Sequence, residues 1–142
     1  MFFVFDLDGT LADIEHRKHH VRDGNRAWRE FFAECTDDRP NEPVIAALNA
    51  LQAAGHRIEI WSGRSDEVQA ETRKWLSEHG INPVLLTRMR PEKNYTPDDQ
   101  LKRAWLLECD ERPDAIYDDR NKVVDMWRRE GIPCFQVAPG DF

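Results

Sequence analysis

A chain of 142 residues, 40% hydrophobic and 33% charged, is long enough to close one core and too short for two full domains, so residues 1–142 are expected to form a single domain. Its apolar content excludes a disordered chain, and no stretch approaches the roughly 18 apolar residues that span a bilayer. A net charge of −7 argues against coating nucleic acid by bulk attraction, while leaving room for a local basic groove.

The opening Met1-Phe2-Phe3-Val4-Phe5-Asp6 is apolar but brief, with no basic leader and no small-residue cleavage site. It reads as a strand over 2–6, not a secretory signal. Residues 12–42 form an insertion longer than a connector needs, which suggests the wall or roof of a site. Within it, His16-Arg17-Lys18-His19-His20-Val21-Arg22 is strongly basic, and Arg26 and Arg29 follow. Such a run is most simply a solvated loop. A polyanion track is the alternative, and 15 of the 20 basic residues are arginine, which suits bidentate contacts to phosphate. His16, His19 and His20 read as surface residues, because no cysteines or spaced acids complete a metal site. A small helix is expected around 26–35. Its Trp28, Phe31 and Phe32 sit at i, i+3 and i+4, and are read as a buried face in preference to a base-stacking platform.

Beyond the insertion, helix and strand patterns alternate. A helix over 43–54 stops at Gly55, and a strand follows at 57–61. Ser65 is a plausible cap for a helix over 65–79, with Gly80 beyond its end. A strand is expected at 83–87. Thr96-Pro97-Asp98-Asp99 reads as a cap, a first-turn proline and two acids, opening a helix to about 109. Strands at 115–118 and 134–138 flank a helix at 121–130 that Gly131 closes. The pattern is an α/β fold of Rossmann-like type: a parallel five-stranded sheet, helices on both faces and a small helical cap insertion. Cys35, Cys109 and Cys134 are scattered and odd in number, which fits core filler in a reducing cytoplasm.

In open parallel sheets, ligands bind at the carboxyl ends of the strands. Those ends carry Asp6-Leu7-Asp8-Gly9-Thr10, Ser62-Gly63-Arg64 and Asp118-Asp119-Arg120. The residue types suit phosphoryl transfer. Asp6 can act as nucleophile, and Asp8 can pass a proton to the leaving oxygen. Converging carboxylates call for a hard cation such as Mg²⁺. Ser62 can hydrogen-bond a phosphate oxygen, and Lys102 can balance the remaining charge. Taken singly, each feature has an ordinary structural explanation as a turn, a cap or a solvated lysine. Together they occur where the chemistry requires them.

On these motifs the chain resembles the haloacid dehalogenase superfamily, with Asp6-Leu7-Asp8-Gly9-Thr10 as its first motif, Ser62 its second, Lys102 its third and Asp118-Asp119 its fourth. Within it, the chain resembles over essentially its whole length the 3′-phosphatase domain of phage-type polynucleotide kinase–phosphatases, most closely over 118–142 and only loosely over 12–42 and 88–96. The resemblance implies Asp6 as nucleophile and Asp8 as acid/base. It implies Mg²⁺ held by Asp6, Asp8, Asp118 and Asp119, and phosphate held by Ser62 and Lys102. Thr10, Arg17, Gly63, Arg64 and Asp98 fall among its substrate-binding positions. Arg17 and Arg64 are expected at the rim of the cleft, and Asp98, four residues before Lys102, either orients that lysine or merely fills an acidic first turn.

The implied activity is a Mg²⁺-dependent phosphomonoesterase acting on 3′-phosphorylated DNA or RNA ends, with no membrane partner. No G-x-x-x-x-G-K-[ST] loop occurs, so the chain is expected to lack kinase activity and to stand alone or be a fragment, with a separate kinase as a conceivable partner. A nucleotidase or small-molecule phosphatase of the same chemistry is the first alternative. A receiver-like signalling domain is a second, but there the acidic pair follows strand one and the accepting aspartate a middle strand. An inactive binding module is a third, against which the intact catalytic set argues.

Overall fold

The computed structural model describes residues 1–142. Strand β1 (Phe2–Phe5) leads into a short strand β2 (Ala12–Asp13). The insertion continues through a 3₁₀ helix (Glu15–His20), helix α1 (Trp28–Ala33), a second 3₁₀ turn (Cys35–Asp37) and strand β3 (Arg39–Pro40), which pairs antiparallel with β2. There follow α2 (Glu42–Ala53), β4 (Arg57–Ser65), α3 (Gln69–Glu78), β5 (Leu86–Arg90), α4 (Asp98–Glu108), β6 (Ala115–Asp118), α5 (Asn121–Arg129) and β7 (Cys134–Gln136). The five-stranded parallel sheet has the order β5-β4-β1-β6-β7. The order reverses direction at β1, so the carboxyl ends of β1, β4 and β6 open onto one crevice.

β1 is central because its run is apolar on both sides. Phe3 and Phe5 join Leu48, Trp75 and Leu76 under α2 and α3. Phe2 and Val4 face the other way, against Trp105, Val124 and Trp127 of α4 and α5. The two cores lock the central strand from both faces, which fixes where Asp6 emerges. No helix is long and apolar enough to cross a membrane.

Several boundaries differ from the sequence expectation, among them the last strand, which ends at Gln136 and not at 138, and α1, which spans Trp28–Ala33 within the expected 26–35. The third main strand begins at Leu86, after a 3₁₀ turn at Pro83–Leu85. Pro83 cannot donate to a ladder, and the Asn82 side chain accepts from the Val84 amide to start the turn. β4 runs on to Ser65 through two register shifts. Ser65 therefore caps a 3₁₀ turn at Asp66–Val68, and α3 starts only at Gln69. The cap position of α4 falls on Pro97 rather than Thr96, so the helix starts at Asp98, and the Thr96 carbonyl accepts from Arg90.

Leu48 is fully buried between α2 and the sheet, whereas Val84 is 71% exposed. Leu48→Ala is expected to destabilise the fold by about 2–5 kcal/mol. Val84→Ala should change stability by less than about 0.5 kcal/mol. Urea denaturation of the two variants checks this contrast.

Candidate active site

The floor of the crevice is a buried carboxylate cluster. Asp6 stands at the tip of β1, and Asp118 and Asp119 stand at the tip of β6. One oxygen from each lies within 4.8 Å of the others. Lys102, one turn into α4 and 1% exposed, reaches down with Nζ 2.7 Å from Asp6 Oδ1 and 3.1 Å from Asp118 Oδ2. The Thr10 hydroxyl donates to Asp6 Oδ2 at 3.1 Å. Asp118 Oδ1 accepts from the amides of Asp119 and Arg120, and Trp127 Nε1 donates to Oδ2. Asp119 Oδ1 is buried without a hydrogen-bond partner.

Two glycines make room for this packing. Gly9 has φ +83°, and a Cβ there would overlap the Asp119 carboxylate. A Cβ at Gly63 would overlap the Asp98 carboxylate. Gly9 in the D-x-D-G-T turn is thus required by the Asp119 carboxylate beside it as well as by its own positive φ.

Burial pushes the Asp6 carboxyl well up, and Asp118 and Asp119 add to that push against the opposing Lys102. Burial next to Asp118 raises Asp119 to about 7. For Lys102, burial is outweighed by Asp118, Asp6 and Asp98, which hold it as an ammonium. One ammonium faces several carboxylates, and one carboxylate oxygen has no partner. A hard divalent cation fits this donor set, with oxygen ligands only and a deficit of positive charge.

Asp8 belongs to a second cluster. Its Oδ1 accepts from Arg17 at 2.7 Å and from Arg64 Nε at 2.9 Å. Both arginines also bind Asp38, Arg17 through Nε at 2.7 Å and Nη2 at 2.6 Å, Arg64 through Nη2 at 2.8 Å. Burial alone would raise Asp8, but the two guanidinium groups win and hold its carboxyl at about 2. Arg17 and Arg64 are both 0% exposed. They do not form the rim that the sequence suggested; they lie beneath Asp8 and fix it. The basic run is only partly a solvated segment: Glu15–His20 form a 3₁₀ helix with Arg17 and Lys18 buried, while His16, His19 and Arg22 are exposed. His16 and His20 bond Asp38 and Glu34. Asp38 is the residue the sequence reading missed. Nothing local marks an aspartate beside Asp37 as the partner of two distant arginines.

Ser62 is fully buried, and its hydroxyl accepts from the Arg64 amide at 3.1 Å. Asp98 is held by Arg90 at 3.4 Å, Lys102 at 3.6 Å and Arg120 at 3.9 Å. Asp6, Asp8, Gly63, Asp98 and Asp119 border a cleft of about 460 Å³. The rest of its lining carries Arg29, Arg90, Lys93, Arg120 and Lys122 alongside Glu67 and Glu92, together with Trp28, Phe32, Tyr95 and Phe142. Within the Trp28–Phe31–Phe32 trio, Phe31 is buried under the Arg17 guanidinium at 4.2 Å, Trp28 and Phe32 are half-buried, and all three border the cleft.

Known proteins resemble this chain in sequence and fold. The model of the polynucleotide kinase PNKP phosphatase domain matches residues 1–142. A chain in the structure of the Pnkp1/Rnl/Hen1 RNA repair complex superposes with a TM-score of 0.79 at 32% identity, over 99% of this chain and 43% of that one. A protein of Autographa californica nuclear polyhedrosis virus, provisionally named a bifunctional polynucleotide kinase/RNA ligase, is 28% identical over 90% of this chain and 18% of its own length. The chain thus spans less than half of either relative. A Bacillus cereus protein provisionally named a nucleotidase is 24% identical over 88% of this chain and 79% of its own.

Removing the Asp38 carboxylate leaves two buried guanidinium groups sharing Asp8 alone. Asp38→Ala is expected to destabilise the protein by about 3–5 kcal/mol. Asp37→Ala, next to it and exposed, should change stability by less than about 0.5 kcal/mol. Denaturant titration of the pair measures both.

Proposed function

Because the chain belongs to the family of polynucleotide kinase phosphatase domains, a phosphatase family of the haloacid dehalogenase type, we propose that it removes the 3′-phosphate from nucleic-acid ends with Asp6 as the nucleophile. The observation that carries the reading is the buried Asp6–Asp118–Asp119 cluster around Lys102, at the floor of a cleft whose wall carries five cations against Glu67 and Glu92, interleaved with aromatic rings. The relatives named for polynucleotide kinase and RNA repair support a nucleic-acid substrate.

Asp6 is aimed by Thr10 and Lys102, which fix both of its oxygens. In the first step an Asp6 oxygen bonds to phosphorus as the bond from phosphorus to the sugar oxygen breaks. Asp8 gives its proton to that departing oxygen. In the second step water attacks the same phosphorus, Asp8 takes a water proton, and Asp6 leaves as carboxylate. Arg17 and Arg64 keep Asp8 ionised at rest; an arriving phosphate brings negative charge beside Asp8 and favours the protonated acid. Lys102 counters charge on the transferring group. Ser62 accepts from the Arg64 amide, which leaves its hydroxyl proton for a phosphate oxygen, while Gly63 and Asp98 border the cleft. Asp6, Asp118 and Asp119, with the backbone carbonyl of Asp8, would hold Mg²⁺, which when bound neutralises and orients the phosphate.

A nucleotidase reading is favoured by the Bacillus cereus relative and the charge of −7. Side-by-side assay separates the two. A higher kcat/KM on a 3′-phosphorylated oligonucleotide than on a 5′-phosphorylated one or on mononucleotides is expected, and equal values would favour the nucleotidase.

Asp6→Asn is expected to lower kcat by more than about 10³-fold while keeping the circular dichroism spectrum, since an amide cannot form the phosphoryl intermediate. EDTA should abolish turnover and Mg²⁺ restore it. Asp118→Ala should raise the Mg²⁺ concentration needed for half-maximal rate. Full activity in EDTA would contradict the metal assignment.

A further inference from the structure

A phosphate occupies a small part of a 460 Å³ cleft, so the outer cavity has room for more of the substrate. Two segments far apart in the chain bring aromatic rings into it. From α1, Trp28 and Phe32 are stacked, with ring centroids 6.0 Å apart and planes 29° from parallel. Phe31 packs edge-on against both, at 5.6 and 5.5 Å, and anchors them to the buried Arg17 cluster. From the 91–97 segment comes Tyr95, which is 83% exposed. The chain has five tryptophans. Trp61, Trp75, Trp105 and Trp127 are all buried in the two cores, and Trp28 alone borders the cleft. A large apolar ring kept at a cavity wall, on a rigid support, is the feature of a contact surface.

Charge narrows what the contact is. Arg29 and Lys93 line the same cavity beside Trp28 and Tyr95. The Arg120 guanidinium lies 6.0 Å over the Trp28 ring and 5.0 Å over the Phe142 ring, linking the aromatic wall to the Asp118-Asp119 floor. Aromatic faces interleaved with cations suit a planar ring carried on a phosphate backbone. We infer that Trp28, supported by Phe32 and joined by Tyr95, forms a stacking subsite for the nucleobase next to the scissile phosphate. The inference rests on the nucleic-acid reading above and adds the part of the substrate that is gripped. Because every base has a π-face, the subsite accepts any base.

The test compares two 3′-phosphorylated oligonucleotides that differ only in the terminal residue, one with its base and one abasic, with p-nitrophenyl phosphate as a third substrate. The wild-type protein should favour the base-bearing end by about tenfold in kcat/KM, mostly through KM. Trp28→Ala should collapse that ratio towards one, Trp28→Phe should keep most of it, and the exposed Tyr95→Ala should lower it in part. Because the readout is a ratio within one variant, a general loss of activity or folding cancels. Equal rates on the two ends in the wild type, or a ratio unmoved by Trp28→Ala and Tyr95→Ala, would overturn the stacking subsite and leave the 3′-phosphatase reading intact. Turnover of p-nitrophenyl phosphate with none of either oligonucleotide would overturn both.

Discussion

The floor of the cleft gathers more negative charge than a buried site holds unaided, and Lys102 is the group that makes it tenable. Its ammonium is 1% exposed and binds Asp6 and Asp118 directly. An ammonium so deeply buried is costly unless it is paired. The pairing is possible because α4 crosses the sheet with Leu101, Trp105 and Leu106 packed in the core, which leaves position 102 over the tips of β1 and β6. The same helix starts with Asp98, one turn earlier, on the same side. Packing of apolar side chains thus delivers a charge to a place where charge alone would not go.

A second charged cluster ties the insertion to the sheet. Arg17 and Asp38 come from the insertion, and Asp8 and Arg64 come from the ends of β1 and β4. Trp75 of α3 donates its indole N–H to the Asp38 carbonyl, so the α2–α3 face also holds this knot. The short β2–β3 ribbon and the amide of Asn41 on the Leu11 carbonyl close the base of the insertion. The outcome is a wall that carries Trp28 and Phe32 on a charged, buried foundation. Fixed side chains of this kind favour a preorganised site over one assembled on binding.

Much of the fold was legible in the sequence because its signals are local. A continuous apolar run at Phe2–Phe5 marks a strand buried on both faces, and Gly55, Gly80 and Gly131 end helices where φ turns positive. The convergence of Asp6, Lys102 and Asp118 was legible because each follows or faces a strand end. Asp38 was not, since pairing with Arg17 and Arg64 is set by tertiary packing and not by its neighbours Asp37 and Arg39. Helical spacing showed that Trp28, Phe31 and Phe32 share a side of α1, but not that this side borders the cleft, with Phe31 buried under Arg17 and the other two half-buried. Pro83 shifted β5 through backbone chemistry that an apolar run over 83–87 conceals.

The central claim is that phosphate passes through Asp6 in two successive displacements, and the stereochemistry at phosphorus tests it most directly. A 3′-phosphate ester made chiral with oxygen isotopes can be hydrolysed in isotopically labelled water and the configuration of the released phosphate read. Two in-line displacements restore the configuration, whereas direct attack by water inverts it. Net retention is the predicted result. Net inversion would contradict a covalent intermediate on Asp6 and would recast the carboxylate cluster as a site for activating water.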